Sequence, residues 1–209
     1  MIIALILYLS KNGDSGGSVN TSFYFAGTIY IFAFITSSYK QLFNNLIMFG
    51  NTRKSLVFSS FIAYAALSIV ISVISIVSIL LDISFTAVSK VNSGFDILGI
   101  LYEGNANIAA KFLWFLAFFI LVSAFSMLFG SLAYKFGKAF IIIFWVGSGF
   151  LLMFLPAAYN PQNLVNALAA FFCVGSANGI LLAPINFILA AAVLGAGSLL
   201  AARRQSQNA

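Results

Sequence analysis

Of the 209 residues, 62% are hydrophobic and 7% are charged, with ten Lys or Arg against four Asp or Glu and a net charge of +6. Soluble domains carry about 25% charged and 45–50% apolar residues. A water-soluble fold is therefore excluded, because the polar surface is too small to cover so apolar a chain, and the sequence reads as an all-α integral membrane protein.

The residue types that are missing exclude further chemistry. There is no His, so Ser-His-Asp and Cys-His sites and His-ligated metals cannot be built within the chain. The single Cys, Cys173, can form neither an intrachain disulfide nor a cluster. It is expected as a small buried apolar residue. No catalytic residue, metal site or cofactor is expected. The net charge does not point to nucleic acid, because its placement orients the chain in a membrane.

In chain order, residues 1–10 are apolar but cover about half of the roughly 20 residues that a span requires. They read as a truncated first helix whose beginning lies upstream, and Lys11 to Asn20 follows as a loop. The second span is residues 22–38. Next, Tyr39, Leu42, Phe43, Leu46, Ile47 and Phe49 recur at helical spacing opposite Lys40, Gln41, Asn44 and Asn45, which predicts a short amphipathic helix. Gly50 is placed to end it, and Asn51 or Thr52 to cap the helix that follows.

The third span, residues 56–81, carries Ser60, Tyr64, Ser68, Ser72, Ser75 and Ser78 on one face. These residues either pack against a neighbouring helix or line a translocation path. The remaining spans are residues 112–133, residues 139–155, stopped by Pro156, and residues 180–202. Leu164 to Asn178 is too short to cross and is broken by Gly175 and Gly179, so it reads as a re-entrant or interfacial segment on the outer side. Trp114 is a candidate interfacial anchor; Trp145 lies too far into its span for that role. Together these segments make one domain, residues 1–209, a six-helix polytopic bundle.

Charge placement supports this layout. Lys40, Arg53, Lys54, Lys135, Lys138, Arg203 and Arg204 fall on the cytoplasmic side, while Lys11, Lys90 and Lys111 fall outside with all four acids. No Asp, Glu, Lys or Arg lies within a predicted span, which disfavours a proton-driven carrier and an intramembrane enzyme. Gly130 and Gly137-Lys138 are separated by six residues where a P-loop requires four, and Ala139 stands where it requires Ser or Thr. Energy for any transport must therefore come from another subunit.

The segment Phe49-Gly-Asn-Thr-Arg-Lys54 resembles the Gly-x-x-Arg-Lys-like stretch before the third helix of bacterial type-2 ABC transporter permeases. The basic turn Tyr134-Lys-Phe-Gly-Lys138, and Ala183-Pro-Ile-Asn-Phe187 followed by an Ala-rich helix and Arg203-Arg204, are similar to later parts of such permeases. The resemblance implies a multi-pass permease subunit in a bacterial cell membrane, with cytoplasmic termini and paired with itself or a sister permease. A cytoplasmic ABC ATPase would drive movement of a substrate, with export the expected direction.

The resemblance also implies that the segment from Tyr39 to Phe49 is a coupling helix. Phe43, Leu46, Ile47, Phe49, Gly50, Arg53 and Lys54 would meet the ATPase. Tyr64, Ser68, Ser72 and Ser75 remain the candidate path or packing stripe. The competing reading is a non-transporting membrane accessory or immunity protein that uses the same helix to bind a cytoplasmic partner.

Overall fold

The computed structural model describes residues 19–48, 53–89, 98, 101–102, 107–158, 161–176 and 178–203. Among these the chain is all-helical, with no strand. The helices are α1 (Val19–Met48), α2 (Arg53–Ser89), α3 (Ile108–Phe136), α4 (Lys138–Ala158), α5 (Pro161–Phe171) and α6 (Gly179–Arg203). Three of them contain stretches long and apolar enough to cross a membrane: Val57–Leu81, Ile108–Phe136 and Gly179–Ala202. The first expected span, residues 1–10, lies outside the described residues, as do Phe49, Gly50 and Arg204.

The helices overrun the expected spans. The expected break after residue 38 does not occur: α1 is one helix of 30 residues, about 45 Å long at 1.5 Å per residue. Nothing between Thr28 and Met48 interrupts it, since that stretch holds neither Gly nor Pro. Ser37 and Ser38 direct their hydroxyls back to the Phe34 carbonyl at 3.1 and 2.7 Å, within the helix. The amphipathic stretch from residue 39 is therefore a rigid continuation of the helix before it. Pro156 does not stop α4 either, which runs to Ala158; a proline so near the end forfeits little of the backbone ladder.

α3 is the shared partner of the other long helices. It packs most extensively on α6, then on α1 and α2. Tyr24 meets Phe115 and Phe32 meets Phe129, so α1 and α3 run in the same direction. Ser68 meets Ser123 and Ile71 lies beside Phe119 and Gly27, so α2 runs against them. Phe187 meets Trp114, and Gly197 lies beside Leu128, so α6 runs parallel to α3. α5 therefore adds no reversal, and at 11 residues, about 16 Å, it is too short to span. As a result Lys40, Arg53, Lys54, Lys135, Lys138 and Arg203 share the end of the bundle where α1, α3 and α6 finish.

Lipid tails are as apolar as leucine, so helices associate in a bilayer through close packing and hydrogen bonds. Close approach depends on glycine here. A Cβ on Gly130 of α3 would stand 3.0 Å from Tyr39 Cβ on α1, and one on Gly195 of α6 would stand 2.9 Å from the Phe61 ring on α2. One residue, Gly137 at φ +70°, joins α3 to α4; its N–H donates to the Ala133 carbonyl at 2.8 Å.

Gly130→Val and Gly195→Val are expected to destabilise the bundle by about 1–3 kcal/mol through overpacking. Gly147→Val, at a position where a Cβ meets nothing within 4 Å, should leave stability unchanged. Thermal unfolding of the detergent-solubilised variants checks the contrast.

Candidate functional site

Three groups of side chains distinguish the bundle from a plain apolar scaffold. The first is at the basic end. Phe43 is only 2% exposed, so the expected free aromatic face is partly spent inside the chain. Its ring packs at 4.9 Å on Tyr134 of α3, and Tyr39 packs beside both. The Tyr134 hydroxyl donates to Asn44 Oδ1 at 3.1 Å. The tail of α1 is thereby fastened to the α3–α4 turn. What it presents outward is Lys40, Gln41, Asn45 and Met48, the last 82% exposed. Leu46 and Ile47 lie on the same helical tail, and Arg53 and Lys54 open α2 at that end.

The second group is the serine stripe. Ser60, Tyr64, Ser68, Ser72, Ser75 and Ser78 are all buried. Ser68, Ser72 and Ser75 donate to carbonyls four residues earlier, Tyr64, Ser68 and Ile71, at 2.9, 2.6 and 2.9 Å. Ser68 also meets Ser123 of α3, oxygen to oxygen at 3.0 Å. The cavity beside them, lined by Phe61, Tyr64, Ser123 and Met127, holds about 10 Å³, at the threshold for one water molecule. In this conformation the stripe is a buried seam in which the hydroxyls of Ser68, Ser72, Ser75 and Ser78 are satisfied by carbonyls of their own helix, while the buried Tyr64 hydroxyl has no hydrogen-bond partner among the described residues.

The third group was not foreseen. Trp114 is 5% exposed and stands among Phe115, Phe118 and Phe187, an arrangement unlike an interfacial anchor. Its indole N–H donates to the Tyr102 hydroxyl at 2.9 Å, and that hydroxyl donates to the Phe172 carbonyl at 2.6 Å. Asn186 of α6 donates to the Phe171 carbonyl at 3.0 Å and to Cys173 Sγ at 3.3 Å. Three side chains, Trp114, Tyr102 and Asn186, thus pin the end of α5 to α3 and α6.

Cys173 is half-buried in a left-handed turn, φ +52°, where its expected role was a small core residue. Gly179 has to be glycine there, because a Cβ would collide with the Cys173 carbonyl oxygen. Asn186, the one amide side chain inside the last apolar run, was the available sequence signal for this junction.

Among the described residues no group of His, Cys, Asp or Glu is placed to hold a metal ion. No protein-family model, curated protein or solved structure matches the chain. Fold and composition define it as an α-helical membrane protein with transmembrane helices.

Burial pushes the Tyr102 phenol above its usual value of 10.0. The folded-state value is raised, so the contribution of its O–H is complete below the unfolded value and fades as pH rises through the folded one. Tyr102→Phe is expected to cost about 1–3 kcal/mol, since the Trp114 N–H and the Phe172 carbonyl both lose a partner. Near-ultraviolet circular dichroism of Trp114 during thermal unfolding at neutral pH reads the loss.

Proposed function

We propose that the chain is the membrane-spanning permease subunit of an ABC transporter, moving a substrate, in the export direction, on ATP hydrolysed by a separate cytoplasmic subunit. The observation that carries this reading is the tail of α1: a rigid helix that overruns its membrane span and is locked to the α3–α4 turn by Phe43, Tyr134 and Asn44. A displacement applied at Met48 is transmitted along α1 without a hinge and sideways into α3, the helix on which α1, α2 and α6 converge. A passive anchor has no need of such a linkage. The resemblance of residues 49–54 to the segment before the third helix of type-2 permeases supports the same reading.

The clustering of basic residues at that end supports its assignment to the cytoplasm of a bacterial cell, and with it six crossings and a re-entrant α5 on the outer face. A second copy or a sister permease would complete the passage. ATPase contact passes from Phe43, which serves as the internal bolt, to the outward residues Gln41, Asn45 and Met48, together with Leu46, Ile47, Phe49, Gly50, Arg53 and Lys54.

The test is turnover by an ABC ATPase that co-purifies with the chain, reconstituted in vesicles with and without it. The reading expects stimulation, and expects Met48→Asp to lower it severalfold while thermal stability holds. Equal turnover with and without the chain contradicts it. Capture of the ATPase without stimulation favours an accessory protein.

A further inference from the structure

α4 is the least integrated of the long helices. Its main partner is α3, through Phe140 and Phe144 on Phe129 near the Gly137 turn. Beyond that contact it leaves a groove floored by α3 and walled by α1 and α4. The groove measures about 1090 Å³. That is at the upper end of the roughly 300–1,000 Å³ typical of small-molecule clefts, and the groove is open along one side.

The lining is aromatic and aliphatic, including Phe32 and Ala33 on α1, Phe125 on α3 and Trp145, 60% exposed, on α4. Thr28, Thr36 and Ser37 also line it, but its one charged lining residue, Lys40, stands at one end, with Lys135 exposed nearby in the last turn of α3. We infer that this groove holds an anionic phospholipid, with its phosphate at Lys40 and its acyl chain along Phe32, Phe125 and Trp145. The inference goes beyond the transport reading and does not depend on it.

Charge complementarity selects this occupant over a second copy of the chain. The four acids are Asp14, Asp82, Asp96 and Glu103. Of these only Asp82 lies in a described helix, and it stands 28 residues along α2 from Lys54, about 42 Å from the basic end. A second copy standing in the same bilayer with the same orientation would bring Lys and Arg to the level of Lys40. An anionic headgroup supplies the missing charge at that level, and its tail supplies an apolar body of matching depth. A lysine near a membrane surface contributes about 1 kcal/mol of attraction to anionic lipid, which is a factor of about five in occupancy.

The full chain is reconstituted in phosphatidylcholine vesicles containing a minor fraction of brominated phosphatidylglycerol or, in parallel, brominated phosphatidylcholine. Tryptophan emission is compared with that of Trp145→Phe, which isolates Trp145 from Trp114. The expected result is half-maximal quenching of Trp145 at an about fivefold lower fraction of the anionic lipid. Lys40→Gln should erase that preference, and Ala33→Leu, which narrows the groove and leaves the charge, should weaken quenching by the anionic lipid.

Equal quenching by the two lipids in the unmodified chain overturns the proposal in favour of ordinary annular lipid. Absence of quenching by either overturns it in favour of a protein cover, such as a second copy. A preference that survives Lys40→Gln or is indifferent to Ala33→Leu places the lipid elsewhere and also overturns it.

Discussion

The contact on which the rest of the bundle depends is the seam between α2 and α3, where Ser68 and Ser123 meet at 3.0 Å. In water, apolar helices are driven together by the removal of their surfaces from solvent. In lipid that driving force is absent, and what remains is close packing and interhelical hydrogen bonding. Serine serves both ends. It is small enough to let backbones approach, and its hydroxyl is satisfied by a carbonyl in its own helix with capacity left for a neighbour. Ser72, Ser75 and Ser78 extend the same face of α2, and Ser126 and Ser131 are buried along α3.

From that seam the architecture follows outward. α3 offers serine and alanine toward α2, Gly130 toward Tyr39 of α1, and Trp114 and Phe118 toward Phe187 of α6. With those faces occupied, α4 is left with one edge of α3 and a large exposed apolar surface that includes Ile142, Ile143 and Phe150. The two ends of the bundle also differ. One is basic and braced by Tyr134 and Asn44, so a force arriving there meets a stiff element. The other is closed by hydrogen bonds from Tyr102, Trp114 and Asn186, which hold α5 against the last helix.

The membrane character and the course of the long helices were legible in the sequence, because a continuous apolar run has few other folded solutions. The helix boundaries were less so. Apolarity marks the part of a helix that meets lipid, while helix continuation needs only the absence of a breaker. Residues 28–48 change from apolar to amphipathic without one, and an expected joint became part of one continuous helix. The amphipathic pattern from Tyr39 set Tyr39 and Phe43 apart from Lys40, Gln41 and Asn45, as found, but put Asn44 on the outer face, whereas it accepts from Tyr134. Nor could it say that Tyr39 and Phe43 would meet Tyr134, a partner about ninety positions away. Trp114 likewise carries the composition of an interfacial anchor and the position of a core residue, and only the tertiary arrangement distinguishes them. The serine stripe was visible as a stripe; whether it faced water or a helix depended on Ser123, which no spacing rule connects to it.

The most direct test is a disulfide across the seam. Ser68→Cys and Ser123→Cys are combined in a Cys173→Ala background, so that the two new thiols are the only ones in the chain. Oxygens 3.0 Å apart place their sulfur replacements within easy reach of the about 2.05 Å bond. The account predicts that mild oxidation in native membranes closes an intramolecular disulfide, and that before oxidation both thiols resist water-soluble maleimide. Thiols that label rapidly and stay unlinked would show a wet passage or separated helices at this position, and the account would fail.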